Sequence, residues 1–159
     1  MDAEGNDATM AEFDPDNTVQ FGYDAMWTDV RGKWTFFGAD SFVGPDGKAQ
    51  MPEVWREAAH WYYDGMWTDY FIPNGSYVNS DMLAQGNPFG SGLLAMTAIK
   101  SWYTCCFQDA TNWDVAAIPS YEGDITSELN ADTFGILKAA KNPEASFEVL
   151  SLFVGDLAP

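Results

Sequence analysis

An α/β domain is predicted by three features of the 159-residue sequence. Short apolar runs of strand length alternate with longer stretches whose apolar residues recur at helical spacing. Turn-forming residues separate the two kinds of segment, as in Pro45-Asp46-Gly47-Lys48, Pro73-Asn74-Gly75-Ser76 and Gly86-Asn87-Pro88. The third feature is composition: 47% of the residues are hydrophobic, which supplies one ordinary core and points to one compact domain.

Residues 1–17 are acidic and without period, and read as a flexible arm or linker before an ordered domain over residues 18–159. Thr18 to Tyr23 alternates in the manner of a strand that ends where Asp24 opens a turn. From Ala25 to Phe37, the residues Met26, Val30, Trp34 and Phe37 fall on one helical face, with Gly32 as a weak point. Phe42 to Ala49 predicts a hairpin, because Asp46-Gly47 tolerates the positive backbone angles of a tight turn.

Pro52 suits the first position of a long helix reaching about Asp69, with Glu53 and Glu57 near its positive end. Val54, Ala58, Tyr62 and Met66 repeat along it every four residues. Ser80-Asp81 caps a short helix over Met82 to Gln85. Leu93 to Met96 is a strand-length apolar run, and Ala98 to Cys106 is read as one or two helical turns carrying Trp102 and Tyr103. Trp113 to Pro119 and Thr133 to Lys138 read as buried strands. A last helix has Asn142 as cap, Pro143 at its first position, and Phe147, Leu150 and Val154 on one face.

Charge excludes whole classes of partner. Seven Lys and Arg against 24 Asp and Glu give a net charge of -17, which repels a phosphate backbone or an anionic bilayer, so nucleic acid is not a partner. Every rich apolar run is broken by Asp, Gly or Asn well short of bilayer thickness. The segment from Met1 to Asp7 has neither the basic start nor the apolar core of a signal peptide, and the chain stops just after a helical pattern. A piece of a longer protein, with its targeting signal elsewhere, is the expectation.

The residues offer little to catalysis. The one histidine, His60, lies inside the long helix beside Trp61 and reads as an exposed or core-edge side chain. Carboxylate pairs such as Asp24 with Asp29, or Asp114 with Asp132, arise by composition alone in so acidic a chain. Asp14-Pro15-Asp16-Asn17 lacks the alternating ligands and closing Glu of a calcium loop. Gly90-Ser91-Gly92 lacks the Lys-Ser/Thr pair of a phosphate loop and reads as a turn. The adjacent Cys105 and Cys106 are neither a disulfide framework nor a CxxC metal site, and read as partly buried thiols or as one thiol awaiting an outside partner. No catalytic residue, metal ligand or cofactor is therefore expected.

The aromatic residues say more. Seven Trp, seven Tyr and eleven Phe exceed the needs of a core this size, and several adjoin Asp or Asn: Tyr23-Asp24, Trp27-Thr28-Asp29, Trp67-Thr68-Asp69 and Asn112-Trp113-Asp114. A sugar has an apolar C–H face and a rim of hydroxyls, so a site for it needs ring platforms beside polar acceptors.

Read in order, the motifs resemble the family 1 extracellular solute-binding proteins, the sugar receptors of bacterial ABC importers. Gly47-Lys48, Pro52-Glu53 and Tyr62-Tyr63-Asp64 are similar to one stretch of the family pattern. Phe89-Gly90-Ser91-Gly92-Leu93-Leu94-Ala95-Met96 with Trp102 resembles a second. Trp113 to Pro119 followed by Ser120-Tyr121-Glu122-Gly123 resembles a third, and Gly135-Ile136-Leu137-Lys138 with Lys141-Asn142-Pro143-Glu144-Ala145 resembles the ending. The resemblance spans about Thr18 to Val154.

What the resemblance implies is one lobe, mainly the C-terminal one, of a type II periplasmic-binding-protein-like fold: a mixed sheet flanked by helices, half of a receptor that closes on its ligand like a hinge. It implies a non-enzymatic protein that binds a sugar or oligosaccharide and delivers it to ABC permease subunits. It implies an extracellular or periplasmic setting, with the full-length receptor held at the membrane as a lipoprotein. Trp102, with Tyr103 beside it, takes the place of the family's sugar-stacking tryptophan, and Tyr23, Asp24 and Trp27 take that of its cleft-facing segment. Asp132-Thr133 replaces the family's usual pair before Gly135-Ile136, where Asp132 is expected to accept sugar hydroxyls. Two other classes compete: a fragment of a carbohydrate-active enzyme, and a protein-interaction module without a small ligand.

Overall fold

The computed structural model describes residues 1–26, 28–77, 88–107, 112–131 and 133–156. The predicted helix over Met82 to Gln85, together with Trp27 and Asp132, lies outside them. The chain divides into two compact units, residues 1–128 and 129–159.

The first unit is mixed α/β, as predicted. Strand β1 (Phe21–Ala25) pairs in parallel with β2 (Leu94–Ala98), in the register Phe21 to Leu94, Tyr23 to Met96 and Ala25 to Ala98. Parallel neighbours need a long crossover. Helices α1 (Val30–Trp34), α2 (Glu53–Trp67) and α3 (Gly75–Tyr77) occupy part of it. On its other edge β1 meets Phe71, whose carbonyl accepts from Gly22 N at 2.8 Å and Tyr23 N at 3.1 Å.

Phe21, Met26 and Leu94 form a core with Tyr77, Phe89, Leu93 and Ile99 packed around it. Helix α2 buries Trp55, Ala58, Tyr62 and Gly65, while Val54 and Met66 are only half-buried. A strict four-residue repeat drifts around a 3.6-residue helix, whereas alternating steps of three and four stay on one face. The indole of Trp55 donates to the Gly38 carbonyl at 2.9 Å and packs on Phe42 at a centroid distance of 4.8 Å. The Pro45–Lys48 turn forms as predicted, with Gly47 at φ 76° and Val43 bridged to Ala49.

Four expectations give way to other local physics. The first strand begins at Phe21 and keeps Asp24, because Val19 N and Gln20 N instead donate to the Met1 carbonyl at 2.9 and 3.2 Å. Residues 1–17 are a folded segment, not a loose arm: the Asp2 carboxylate is 1% exposed and accepts from Glu4 N, Asn6 N, the Asn6 amide and Asp14 N. The helix expected over residues 25–37 is confined to α1, since Asp29 caps it by accepting from Gly32 N at 2.8 Å. The segments expected as strands at 113–119 and 133–138 belong to no sheet among the described residues, with Val115, Phe134 and Leu137 exposed. The mixed sheet is thus, among the described residues, a two-stranded parallel one.

The second unit carries helix α4 (Pro143–Ser151), which runs into a π-helical turn over Leu152–Asp156. Pro143 opens it as predicted, although Asn142 caps with its carbonyl, accepting from Ser146 N at 3.0 Å, and not with its side chain. Phe147 and Val154 of the predicted apolar face are exposed.

Candidate functional site

In open α/β sheets, ligands bind beyond the carboxyl ends of parallel strands, where the connecting loops diverge. Here β1 runs out through Met26 and Thr28, and β2 through Ile99 and Lys100. Between these exits lies a cavity of about 70 Å³, which Phe36, Ile118, Ser127 and Glu128 help to line. It is far smaller than the roughly 300–1,000 Å³ of a pocket that encloses a whole ligand. Glu128 organises it, accepting from the Lys100 ammonium and, at 2.5 Å, from the Thr28 hydroxyl. Gly32 makes room, because a Cβ at that position would collide with Thr28 and Glu128.

The 3-10 helix Ser101–Phe107 follows β2 directly. Its first turn is fixed by Tyr103 N donating to the Lys100 carbonyl at 2.9 Å and by the Thr104 hydroxyl donating to the Ser101 carbonyl at 3.1 Å. This places Trp102 outward, 63% exposed, edge-on to Tyr103 at a centroid distance of 5.4 Å. The two predicted residues therefore form one aromatic pair beside the polar exit of the sheet.

Tyr23 and Asp24 sit on β1 in a different setting. Asp24 is buried and paired with Lys33 at 2.5 Å, and the Lys33 ammonium lies 5.6 Å from the centroid of the Tyr62 ring. The Tyr23 and Tyr62 hydroxyls stand 3.5 Å apart. Burial pushes both phenols above the ordinary tyrosine range, and the nearby Asp24 charge adds to it, so both stay neutral and keep their O–H donors. Asp24, which the resemblance puts in a cleft-facing segment, has its carboxylate occupied by Lys33. Thr133 is exposed in the second unit.

Sequence reading passed over an aromatic cluster around Trp61, which is 40% exposed on α2. Its ring centroid lies 5.9 Å from Tyr23, 5.6 Å from Phe37 and 5.2 Å from Phe71. Phe37 in turn meets Tyr121 at 4.7 Å, and the Tyr121 hydroxyl donates to Glu57 at 3.0 Å. That hydrogen bond, ahead of slight burial, holds the Tyr121 phenol above its ordinary range. The signal was present: Trp61 is one residue off the buried face of α2, and Glu57 is one turn before it. Nothing local in the sequence brings Phe37 and Tyr121 to them.

Among the described residues, no three His, Cys, Asp or Glu side chains gather as a metal site would require, and His60 is exposed. The geometry supplies neutral hydroxyl donors, a small mixed pocket holding the Lys100–Glu128 ion pair, and an exposed indole at Trp102. Comparison of the chain with protein-family models, with curated proteins and with solved structures returns no match.

Proposed function

We propose that the chain is a carbohydrate-binding lobe with the type II periplasmic-binding-protein architecture, part of the extracellular receptor of a bacterial ABC importer. In that role it catalyses nothing. It captures a neutral sugar or oligosaccharide, closes on it together with a second lobe, and presents it to the permease subunits of a membrane-anchored system. The observation that carries the reading is the exposed Trp102, edge-on to the half-buried Tyr103 just after β2 and close in sequence to Lys100 and its Glu128–Thr28 network. An indole face stacks on the C–H face of a pyranose, while hydroxyls and carboxylates satisfy its rim. The net charge of -17 favours a neutral ligand over an anionic one.

The reading is tested by titrating the chain with a panel of neutral oligosaccharides while following tryptophan emission. Saturable quenching or a blue shift is expected with at least one member, and should vanish in Trp102→Phe if that indole is the reporter. A flat response across the panel, or turnover of chromogenic glycosides, overturns it.

A further inference from the structure

Cys105 and Cys106 stand side by side in the 3-10 helix, both exposed, with their sulfurs 3.3 Å apart. We propose that they form a reversible dithiol/disulfide site, which exchanges with the disulfide of a small-molecule thiol carrier and, on closing, resets the turn that holds Trp102 and Tyr103. This stands whatever Trp102 binds.

Exposure makes both sulfurs reachable, where a buried thiol would be inert. They need approach by only roughly 1.2 Å more to reach the bonded separation of about 2.05 Å. Neighbouring Cα atoms, however, lie about 3.8 Å apart, below the range of roughly 4.4–6.8 Å that relaxed disulfides span. Ring closure must therefore bend the backbone at Cys105–Cys106, and a strained disulfide is the readily reduced, regulatory kind.

The bend is transmitted to the aromatic pair by a specific contact. The Cys105 thiol donates to the Trp102 carbonyl at 3.5 Å, and oxidation removes the hydrogen that makes that bond. The Cys106 thiol is held above the ordinary cysteine range by its hydrogen bond with Cys105. First, the Cys105 thiolate attacks one sulfur of the carrier disulfide, forming a mixed disulfide and expelling one carrier thiolate. Then the Cys106 thiolate attacks the Cys105 sulfur, closing the ring and expelling the second. The two protein thiols lose two electrons and two protons in all, and the carrier disulfide gains them as two thiols.

The full chain is incubated with glutathione disulfide, then assayed by thiol titration and intact mass. The expected result is loss of both titratable thiols, a mass lower by two hydrogens, no glutathione adduct and no linked dimer, all reversed by a dithiol reductant. Cys105→Ser and Cys106→Ser should each retain one glutathione as a stable mixed disulfide. Oxidation should shift the tryptophan emission of the wild type and leave Trp102→Phe unchanged. Persistence of both thiols, adducts on both, covalent dimers, or ring closure with no Trp102-dependent shift would each overturn the proposal.

Discussion

Four N–H groups, from Glu4, Asn6, the Asn6 side chain and Asp14, converge on the Asp2 carboxylate. Burial alone would raise its pKa, but the hydrogen bonds together outweigh it and leave the carboxyl below the ordinary aspartate value. A depressed carboxyl contributes stability that is present above the unfolded value of about 3.9 and is lost as pH falls through the folded one. Urea midpoints measured from pH 7 down should therefore drop below about pH 4, and Asp2→Asn should flatten that part of the profile. Tyr23 and Tyr62 act with the opposite sign. Their raised pKa gives stability that is complete below the unfolded value of about 10 and declines as pH rises beyond it. Absorbance near 295 nm should show these two phenols ionising only as the protein unfolds. Of these residue-scale features, Tyr23 stood out in the sequence by its place beside Asp24. The role of Asp2 did not, because its partners span twelve positions and no period marks them.

Helix α2 and the Phe71–Ile72 segment show how an element is held. A Cβ on Gly65 would sit 2.6 Å from Ile72 Cδ1 and 2.9 Å from the Phe71 ring, and Ile72 N donates to the Gly65 carbonyl at 3.0 Å. Gly65→Ala should therefore destabilise by about 1–3 kcal/mol in chemical denaturation, the cost of overpacking, despite the higher helix propensity of alanine. Trp55→Ala, which empties a site that is 1% exposed, should cost about 3–5 kcal/mol in the same assay. Elements whose cause is local were legible in the sequence. Helix α2 follows from its apolar spacing, α4 from Pro143, and the Pro45–Lys48 turn from Gly47. The segments 113–119 and 133–138 were misread because apolar content makes a segment fit for a strand, while the ladder itself needs a partner from elsewhere in the chain. Helix α1 is shorter than its apolar spacing implies because the Asp29 side chain caps it at Gly32 N.

At the scale of the whole molecule, a two-stranded sheet is marginal by itself, so the first unit depends on α2, Phe71 and the N-terminal segment closing around β1. That arrangement puts two aromatic surfaces on one unit, Trp102 with Tyr103 after β2 and Trp61 with Phe37 and Tyr121 over α2. Trp102 stands out in the sequence only through the resemblance to the solute-binding family, not through its immediate neighbours. The Trp61 cluster is made by tertiary packing and became visible only in the fold. Its contribution can be separated from that of Trp102, because Trp61→Ala should destabilise the unit through lost ring contacts, whereas Trp102→Ala should leave the unfolding free energy within about 0.5 kcal/mol of wild type. The proposed stacking of a neutral sugar on Trp102 is tested by isothermal titration of the chain and of Trp102→Ala with neutral oligosaccharides. One saturable site is expected in the wild type, with affinity weakened by about tenfold or more in the variant, a loss of roughly 1.4 kcal/mol. Equal affinities in the two proteins, or no heat with any oligosaccharide, would contradict it.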